Sequence, residues 1–291
     1  GASISMTDRS RNYRAMVQEV VDRCGVKRMG FEEEYLSVAS YQIWKEGVTP
    51  ELVPAQKLVN GLRAAKDQEE IELMVKAQEI TDRAFREILT FIQPGMTEQE
   101  IAAKLQYDML RFGAMRMSFD PIVVSGPNGS LPHGVPSEKV IQSGEFVTMD
   151  FGCIYHGYCS DMTRTVAVGS VTEEMRQVYN TVLAAQKAGI EAARAGATGR
   201  AVDGAARAVI QQAGYGPYFG HSFGHGVGVE IHEGPNATPS NDKPLPAGAV
   251  ISAEPGIYLP GKLGVRIEDV LYLTEGGCQN LTLAPKELLI L

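Results

Sequence analysis

Two nine-residue stretches of the chain share one pattern: GEFVTMDFG at residues 144–152 and GAVISAEPG at residues 248–256. Each opens with Gly and continues with an apolar run that is typical of a β-strand. Each then carries a carboxylate six residues after that Gly and closes with another Gly two residues later. Asp150 and Glu254 therefore occupy equivalent positions, and the repeat predicts a chain with two related halves.

The segments before these stretches repeat as well. Residues 95–97 (GMT) correspond to residues 196–198 (GAT), and the apolar helical face of residues 101–109 recurs 101 positions later in residues 202–210. Apolar residues spaced three and four apart indicate amphipathic helices, and the runs that follow indicate strands. Each half is therefore predicted to fold in the order α, α, β, β, with a pseudo-two-fold relation between the halves.

Helix boundaries can be predicted from capping residues and breakers. Thr97 followed by Glu100 predicts a capping box at the start of one helix. An apolar stripe from Ile71 to Phe91 predicts a long helix before it, and Ser170 is expected to open a helix in the second half.

Length and charge limit the class of protein. The chain has 291 residues, of which 44% are hydrophobic, so it can bury a sizeable core. It has 27 Lys and Arg against 35 Asp and Glu, a net charge of −8. Because nucleic-acid binding relies on clustered Lys and Arg, nucleic acid is not an expected partner. No apolar run is long enough to span a membrane, so a membrane is not an expected partner.

The expected compartment is the cytoplasm. The four cysteines are scattered and form no disulfide framework, which favours a reducing environment; they are Cys24, Cys153, Cys159 and Cys278. The first twenty residues are polar, so no signal peptide is expected. The opening residues 1–3 (GAS) stand where a Met would begin a natural chain, which is typical of a tag remnant.

Several acidic residues lie in apolar, strand-like segments. They are Asp150, Asp161, Glu254 and Glu268. Burying an ionised carboxylate without a partner is very costly, and the nearby cations are few, with Arg164 and Arg266 the obvious ones. With the imidazole of His225, these four carboxylates suit two hard or borderline divalent cations, such as Mn²⁺ or Co²⁺.

Other interpretations of these motifs are weaker. A single strand Asp beside an Arg is more often a structural ion pair, and a lone His in a Gly-rich loop is usually only polar. The GHGVG at residues 224–228 lacks the strand–GxGxxG–helix context of a nucleotide site. Residues 150–152 spell the kinase motif DFG, but no HRD loop accompanies it. The metal hypothesis rests on the five residues taken together.

Five segments resemble one metallopeptidase family. They are SGPNGSLPHGVPS (125–137), MDFGCIYHGYCSDMTRT (149–165), HSFGHGVGVEIHEGP (221–235), ISAEPGIY (251–258) and GVRIEDV (264–270). The chain is similar here to methionine aminopeptidase, Xaa-Pro aminopeptidase and prolidase, densely over about residues 65–291. The resemblance implies an α+β pita-bread fold with an internal pseudo-two-fold duplication, preceded by a partial N-terminal α/β lobe. The expected domains are residues 1–60 for that lobe and residues 61–291 for the catalytic domain.

The resemblance also implies a role for each site residue. Asp150 would bind one metal, Asp161 and Glu268 both metals, and His225 and Glu254 the second metal. Glu254 would also move a proton from the nucleophile to the leaving amine. His133 and His232 would stabilise the tetrahedral intermediate. Substrate contacts are expected from His221, Tyr258 and Arg266.

The expected activity is that of the prolyl branch of this family. EPGIY followed by GVRIEDV, and residues 62–66 (LRAAK), resemble that branch. The chain is expected to be a dinuclear metal-dependent peptidase that cleaves between an N-terminal residue and proline in short peptides, as an Xaa-Pro aminopeptidase or dipeptidase. Mn²⁺ or Co²⁺ is favoured, with Zn²⁺ or Fe²⁺ as other options, and a homodimer is left open.

Two alternatives to this activity stay open. HGVPS alone would also suit a methionine aminopeptidase. A non-catalytic binding protein with the same fold would usually have lost metal ligands, whereas here every ligand position is filled.

Overall fold

The computed structural model describes residues 4, 6–7, 11–55 and 57–291. Residues 1–3, interpreted above as a tag remnant, lie outside the described residues. The chain divides into an N-terminal unit, Gly1–Leu62, and a C-terminal unit, Arg63–Leu291. Among the residues that the structure describes, none of the helices combines the length and apolarity that a bilayer span requires.

The N-terminal unit is a small α/β element. Its parts are α1 (Tyr13–Cys24), β1 (Arg28–Phe31), α2 (Val38–Gly47), β2 (Glu51–Pro54) and α3 (Leu58–Arg63), whose last residue lies at the unit boundary. Strands β1 and β2 pair in parallel with helix α2 between them in sequence, which is the βαβ connection that parallel strands require.

The C-terminal unit contains four long helices and thirteen strands in its described residues. The helices are α4 (Gln68–Ile88), α5 (Glu98–Arg111), α6 (Glu173–Ala192) and α7 (Gly199–Gln212). The strands before α6 are β3 (Arg116–Met117), β4 (Ile122–Ser125), β5 (Glu145–Phe151), β6 (Cys153–Tyr155), β7 (Tyr158–Cys159) and β8 (Met162–Val168). The later strands are β9 (Gly224–Gly226), β10 (Glu233–Ala237), β11 (Val250–Ala253), β12 (Gly256–Leu259), β13 (Leu263–Arg266), β14 (Asp269–Thr274) and β15 (Gly277–Asn280).

The two halves of this unit repeat one arrangement of a helix pair against an antiparallel sheet. In the first half, α4 and α5 bury their apolar faces against the sheet β4–β5–β8. In the second half, α6 and α7 do the same against the sheet β10–β9–β11–β14–β15. The apolar faces predicted at residues 101–109 and 202–210 both lie in these cores. The predicted α+β pita-bread fold is confirmed.

Helix boundaries agree with the capping signals, with two exceptions. The predicted capping box of Thr97 and Glu100 is present at α5. Helix α6 begins after Thr172, whose hydroxyl accepts from the Met175 amide, so the predicted start at Ser170 was wrong by two residues. Ser170 lies in the turn that leaves β8, where its amide donates to the Val168 carbonyl. Helix α4 ends at Ile88, and Phe91 belongs to the turn that follows it.

A buried ion pair joins the sheets of the two halves. Arg164 of β8 donates to the Asp269 carboxylate at the start of β14 over 2.8 Å, and to the carbonyls of Glu268, Ala284 and Pro285. Both side chains are almost fully buried, at 1% and 0% exposure. Burial alone would raise the pKa of Asp269, but the charges of Arg164 and Lys286 outweigh it and lower that pKa.

Arg164→Met is expected to lower the free energy of unfolding by about 3–5 kcal/mol, because it leaves a buried carboxylate short of its main partner. Urea unfolding followed by circular dichroism measures this difference. Lys262→Met is the matched control, since Lys262 and Glu174 form an exposed pair at 3.4 Å, and its effect should stay below about 1 kcal/mol. Equal urea midpoints of unfolding for Arg164→Met and the unmodified protein would contradict a stabilising role for the Arg164–Asp269 pair.

Candidate metal centre

One cavity of about 490 Å³ collects the site residues of both halves. The first half contributes His133, Asp150 and Asp161, and the second half contributes His221, His225, His232, Glu254, Arg266 and Glu268. The sequence predicted ten site residues, and all of them except Tyr258 line the cavity. Tyr258 is buried behind His221, to which its hydroxyl is hydrogen-bonded over 2.8 Å.

Strand ends position the carboxylates. Asp150 lies within β5, opposite Thr163 of β8. Asp161 directly precedes β8, Glu254 directly follows β11 and Glu268 directly precedes β14. The sequence placed all four carboxylates in strand-like segments. Only Asp150 lies within a strand, and the other three lie directly at strand ends. The amides of Glu254 and Glu268 donate instead to the carbonyls of Phe223 and Thr163, so the chain there connects neighbouring segments.

Three side chains converge closely enough to hold a metal ion. Ligand atoms of Asp161, His225 and Glu268 all lie within 4.8 Å of one another. His225 Nδ1 is 3.0 Å from the Gly226 carbonyl, which directs Nε2 towards the carboxylates. His225 Nε2 lies 3.5 Å from Asp161 Oδ2 and 3.2 Å from Glu254 Oε1. Such an orientation is typical of a metal-ligating histidine.

Two hydroxyl groups orient the acidic ligands, and the sequence alone did not single them out. Thr163 donates to Glu268 Oε2 over 2.7 Å, and Ser252 donates to Glu254 Oε1 over 3.1 Å. Thr163 follows Asp161 by two residues, and Ser252 precedes Glu254 by two. Because alternate residues of a strand face the same side, this spacing is a signal that could have found both.

Asp150 is held by the buried guanidinium of Arg266. Arg266 Nη2 donates to Asp150 Oδ2 over 2.6 Å, and the same side chain donates to Thr163, Tyr258 and the Pro132 carbonyl. The other oxygen of Asp150, Oδ1, is buried and has no hydrogen-bond partner among the described residues. A buried oxygen without a donor is where a cation fits.

The electrostatics of the cavity also favour a cation. Burial and the charge of Asp150 raise the pKa of Asp161 well above its ordinary value, and burial and the charge of Asp161 do the same for Glu268. Burial would lower the pKa of His225, but its hydrogen bond to Glu254 and the nearby negative charges raise it. The raised pKa values of the two carboxyls reflect burial and crowded negative charge, which a bound cation would offset. Oxygen and imidazole donors suit borderline divalent ions, so the residues fit a metal.

Two further histidines, His232 and His221, line the same cavity without joining this cluster. The His232 ring lies 4.3 Å from the His225 ring, edge to face, and burial together with the His225 charge lowers the pKa of His232. His221 Nδ1 is 2.9 Å from the Ser222 carbonyl, and its Nε2 faces Tyr258. Burial lowers the pKa of His221.

The Gly-rich segment around His225 is explained by close packing. A Cβ on Gly224 would lie 1.9 Å from the Ser252 carbonyl oxygen, and one on Gly228 would lie 2.3 Å from the Glu233 carboxylate. The sequence predicted that these glycines let the backbone pass close to something. That neighbour is β11 for Gly224, so the segment brings His225 against the strand that leads to Glu254.

The pita-bread fold and its acidic, imidazole-containing cavity together define a metallopeptidase. Residues 72–275 match metallopeptidase family M24, and residues 3–65 match the creatinase/prolidase N-terminal domain. The chain belongs to metallopeptidase family M24. This confirms the family resemblance, and the divalent metal ions of the family follow from the membership.

Named relatives lie within this family. The chain is 47% identical to an Xaa-Pro dipeptidase of Pyrococcus furiosus over 80% of its own length and 67% of that protein. It superposes with a TM-score of 0.93 on an Xaa-Pro dipeptidase from Bacillus anthracis, at 47% identity, covering 95% of this chain and 78% of that one. An X-Pro aminopeptidase from Thermotoga maritima gives a TM-score of 0.92 at 41% identity, covering 96% and 80%.

Asp161→Asn is expected to raise the melting temperature of the metal-free protein, because a neutral amide avoids the burial cost and repulsion that raise the pKa of the Asp161 carboxyl. Saturating Mn²⁺ is expected to raise the melting temperature of the unmodified protein by about 5 °C or more, and Asp161→Asn should reduce this rise. Thermal unfolding with chelator and then with Mn²⁺ measures both effects. Asp242→Asn, at an exposed ion pair with Arg200, is the control and should leave the Mn²⁺ response intact. A full Mn²⁺ response in Asp161→Asn would exclude Asp161 as a ligand.

Proposed function

We propose that the chain is a dinuclear metal-dependent peptidase that hydrolyses the bond between an N-terminal residue and proline in short peptides. The observation that carries this proposal is the convergence of Asp161, His225 and Glu268 in the acidic cavity, with donor atoms within 4.8 Å. The relatives named above, two Xaa-Pro dipeptidases and an X-Pro aminopeptidase, support the choice of substrate.

Five side chains are proposed as ligands of two metal ions. Asp150 would hold one ion, Asp161 and Glu268 both ions, and His225 and Glu254 the other. The unpartnered Oδ1 of Asp150 and the inward-facing Nε2 of His225 support this set. When bound, two divalent ions lower the pKa of a water molecule and polarise the scissile carbonyl. Mn²⁺ or Co²⁺ is proposed, since this mixture of oxygen and imidazole donors suits them.

Glu254 is proposed to carry a proton from the attacking water to the leaving amine. His225 and the Ser252 hydroxyl both contact its Oε1, which leaves Oε2 without a side-chain hydrogen bond among the described residues. Burial would raise the pKa of Glu254, but its hydrogen bond with His225 and the nearby positive charges together lower that pKa to about 2. An ionised carboxylate beside the reacting centre can accept the proton of water and release it again.

The histidines are proposed to bind and polarise the substrate. His133 and His232 both line the cavity, where an imidazole N–H can donate to the developing oxyanion. His221, Tyr258 and Arg266 are proposed to form the substrate end of the cavity. Tyr258 is proposed to act indirectly, because it does not line the cavity and its hydroxyl is hydrogen-bonded to both His221 and Arg266. Phe119, Ile122 and Ile231 supply apolar wall for a proline ring.

The wider setting of the protein is also a proposal. The four cysteines carry no disulfide, which supports the cytoplasm as its compartment. Residues 1–60 are proposed as a partial N-terminal lobe and residues 61–291 as the catalytic domain. A homodimer is compatible with these assignments, and light scattering measures it directly.

The chain is expected to cleave Xaa-Pro substrates only with metal present. Chelator treatment should abolish the activity, and Mn²⁺ or Co²⁺ should restore it, because the ligand cluster holds the only proposed activator of water. The assay panel contains Xaa-Pro dipeptides, Xaa-Pro-Yaa tripeptides and Met-Ala peptides. Tripeptide cleavage marks an aminopeptidase and dipeptide cleavage a dipeptidase. Activity on Met-Ala peptides alone, or full activity in metal-stripped protein, would contradict the proposal.

His232→Ala is expected to lower kcat by about 10²–10³ with bound metal unchanged, which is the usual effect of removing one oxyanion donor. Steady-state kinetics and elemental analysis of the same preparation measure both quantities. His156→Asn is the control, since the exposed His156 does not line the cavity. A raised KM with preserved kcat would make His232 a binding residue only, and loss of metal would make it a ligand.

A further inference from the structure

Helix α7 carries an ion pair between Arg207 and Asp203. Arg207 donates through Nε to Asp203 Oδ2 over 2.8 Å and through Nη2 to Asp203 Oδ1 over 3.0 Å. The Asp203 side chain is only 1% exposed, whereas 29% of the Arg207 side chain is exposed. Neither residue lines the cavity. The proposed chemistry therefore does not use them directly.

The other hydrogen bonds of this pair all end on residues 219–223, which we call the His221 segment. Arg207 donates to the Phe219 carbonyl over 3.0 Å and to the His221 carbonyl over 2.7 Å. Asp203 Oδ1 accepts from the Phe223 amide over 2.9 Å. The Arg207 guanidinium also lies 4.2 Å from the centre of the Phe219 ring. One side-chain pair thus holds both ends and the middle of a five-residue loop.

The His221 segment supports two parts of the candidate site. The ring of His221 is hydrogen-bonded to the Tyr258 hydroxyl, which in turn accepts a hydrogen bond from Arg266. The Phe223 carbonyl accepts from the amide of Glu254 over 2.8 Å. Because Arg207 bonds the His221 carbonyl directly, its loss would free the histidine. Asp203 would still hold Phe223, and through it Glu254.

We infer that Arg207, fixed by Asp203, is a positioning residue that sets the place of His221 in the substrate-binding cavity. The inference rests on the proposed function for its kinetic effect. An ion pair that served only to stabilise the helix would need no bonds to a loop. Arg200 on the same helix shows this contrast, because its guanidinium pairs with the exposed Asp242 and has no hydrogen bond to the His221 segment among the described residues.

Arg207→Met is expected to lower kcat/KM for an Xaa-Pro substrate by about 10- to 100-fold, the range in which a small misplacement of a binding group falls. Metal content should stay the same, and Arg200→Met should leave kcat/KM unchanged. If Arg207→Met does not fold, Arg207→Lys takes its place, because lysine keeps the charge but cannot bond both carbonyls in the same fork geometry.

A pair of double-mutant cycles separates positioning from general destabilisation. In a His221→Ala background, Arg207→Met should have little further effect, since the group that it places is gone. In a His133→Ala background, the full loss should return. Equal losses in both backgrounds, or equal kinetics for Arg207→Met and Arg200→Met, would overturn the inference.

Hydrogen exchange provides a measurement that needs no catalytic activity. Amides of residues 219–223 should exchange faster in Arg207→Met than in Arg200→Met when both are followed by mass spectrometry. If the unmodified enzyme cleaves no Xaa-Pro substrate, the proposed function fails, and this exchange still decides the positioning role. Equal exchange in the two variants would overturn it.

Discussion

Crowding of negative charge in one cavity is the constraint on which the rest of the C-terminal unit depends. Four carboxylates point into a space where one buried guanidinium, that of Arg266, reaches a single one of them. Such an arrangement is stable only if burial, hydroxyl donors and a cation together offset the repulsion. Thr163 and Ser252 serve that purpose, and both stand on strands that end at the site.

The duplicated architecture explains how one chain can hold so much charge in place. Each half has its own helix pair and its own apolar core, and the cavity lies where segments from both sheets meet. The halves are not used alike: Asp150 and Asp161 come from the first, whereas His225, Glu254 and Glu268 come from the second. The buried pair of Arg164 and Asp269 joins the same two sheets directly beside Glu268.

Much of this fold was readable from the sequence, because it rests on local patterns. The capping box at Thr97 and the paired stretches around Asp150 and Glu254 depend on neighbours in the chain. Thr172 was missed as the N-cap of α6 because several capping residues lie in that turn. The position of Tyr258 behind His221, and the use of Arg266 by Asp150, could not be predicted. They depend on packing between residues from 8 to 116 positions apart.

The division of the proposed ligands between the halves has a consequence for how the protein would respond to loss and return of metal. Either proposed metal ion would take ligands from both halves, so it would act as a cross-link between two separately cored layers, formed after each layer has folded. Metal affinity would then report on how well the layers are assembled, even for damage far from the cavity. Loss of the ion in storage or dilution would loosen the layers before either core unfolds, and adding it back would reverse that loss.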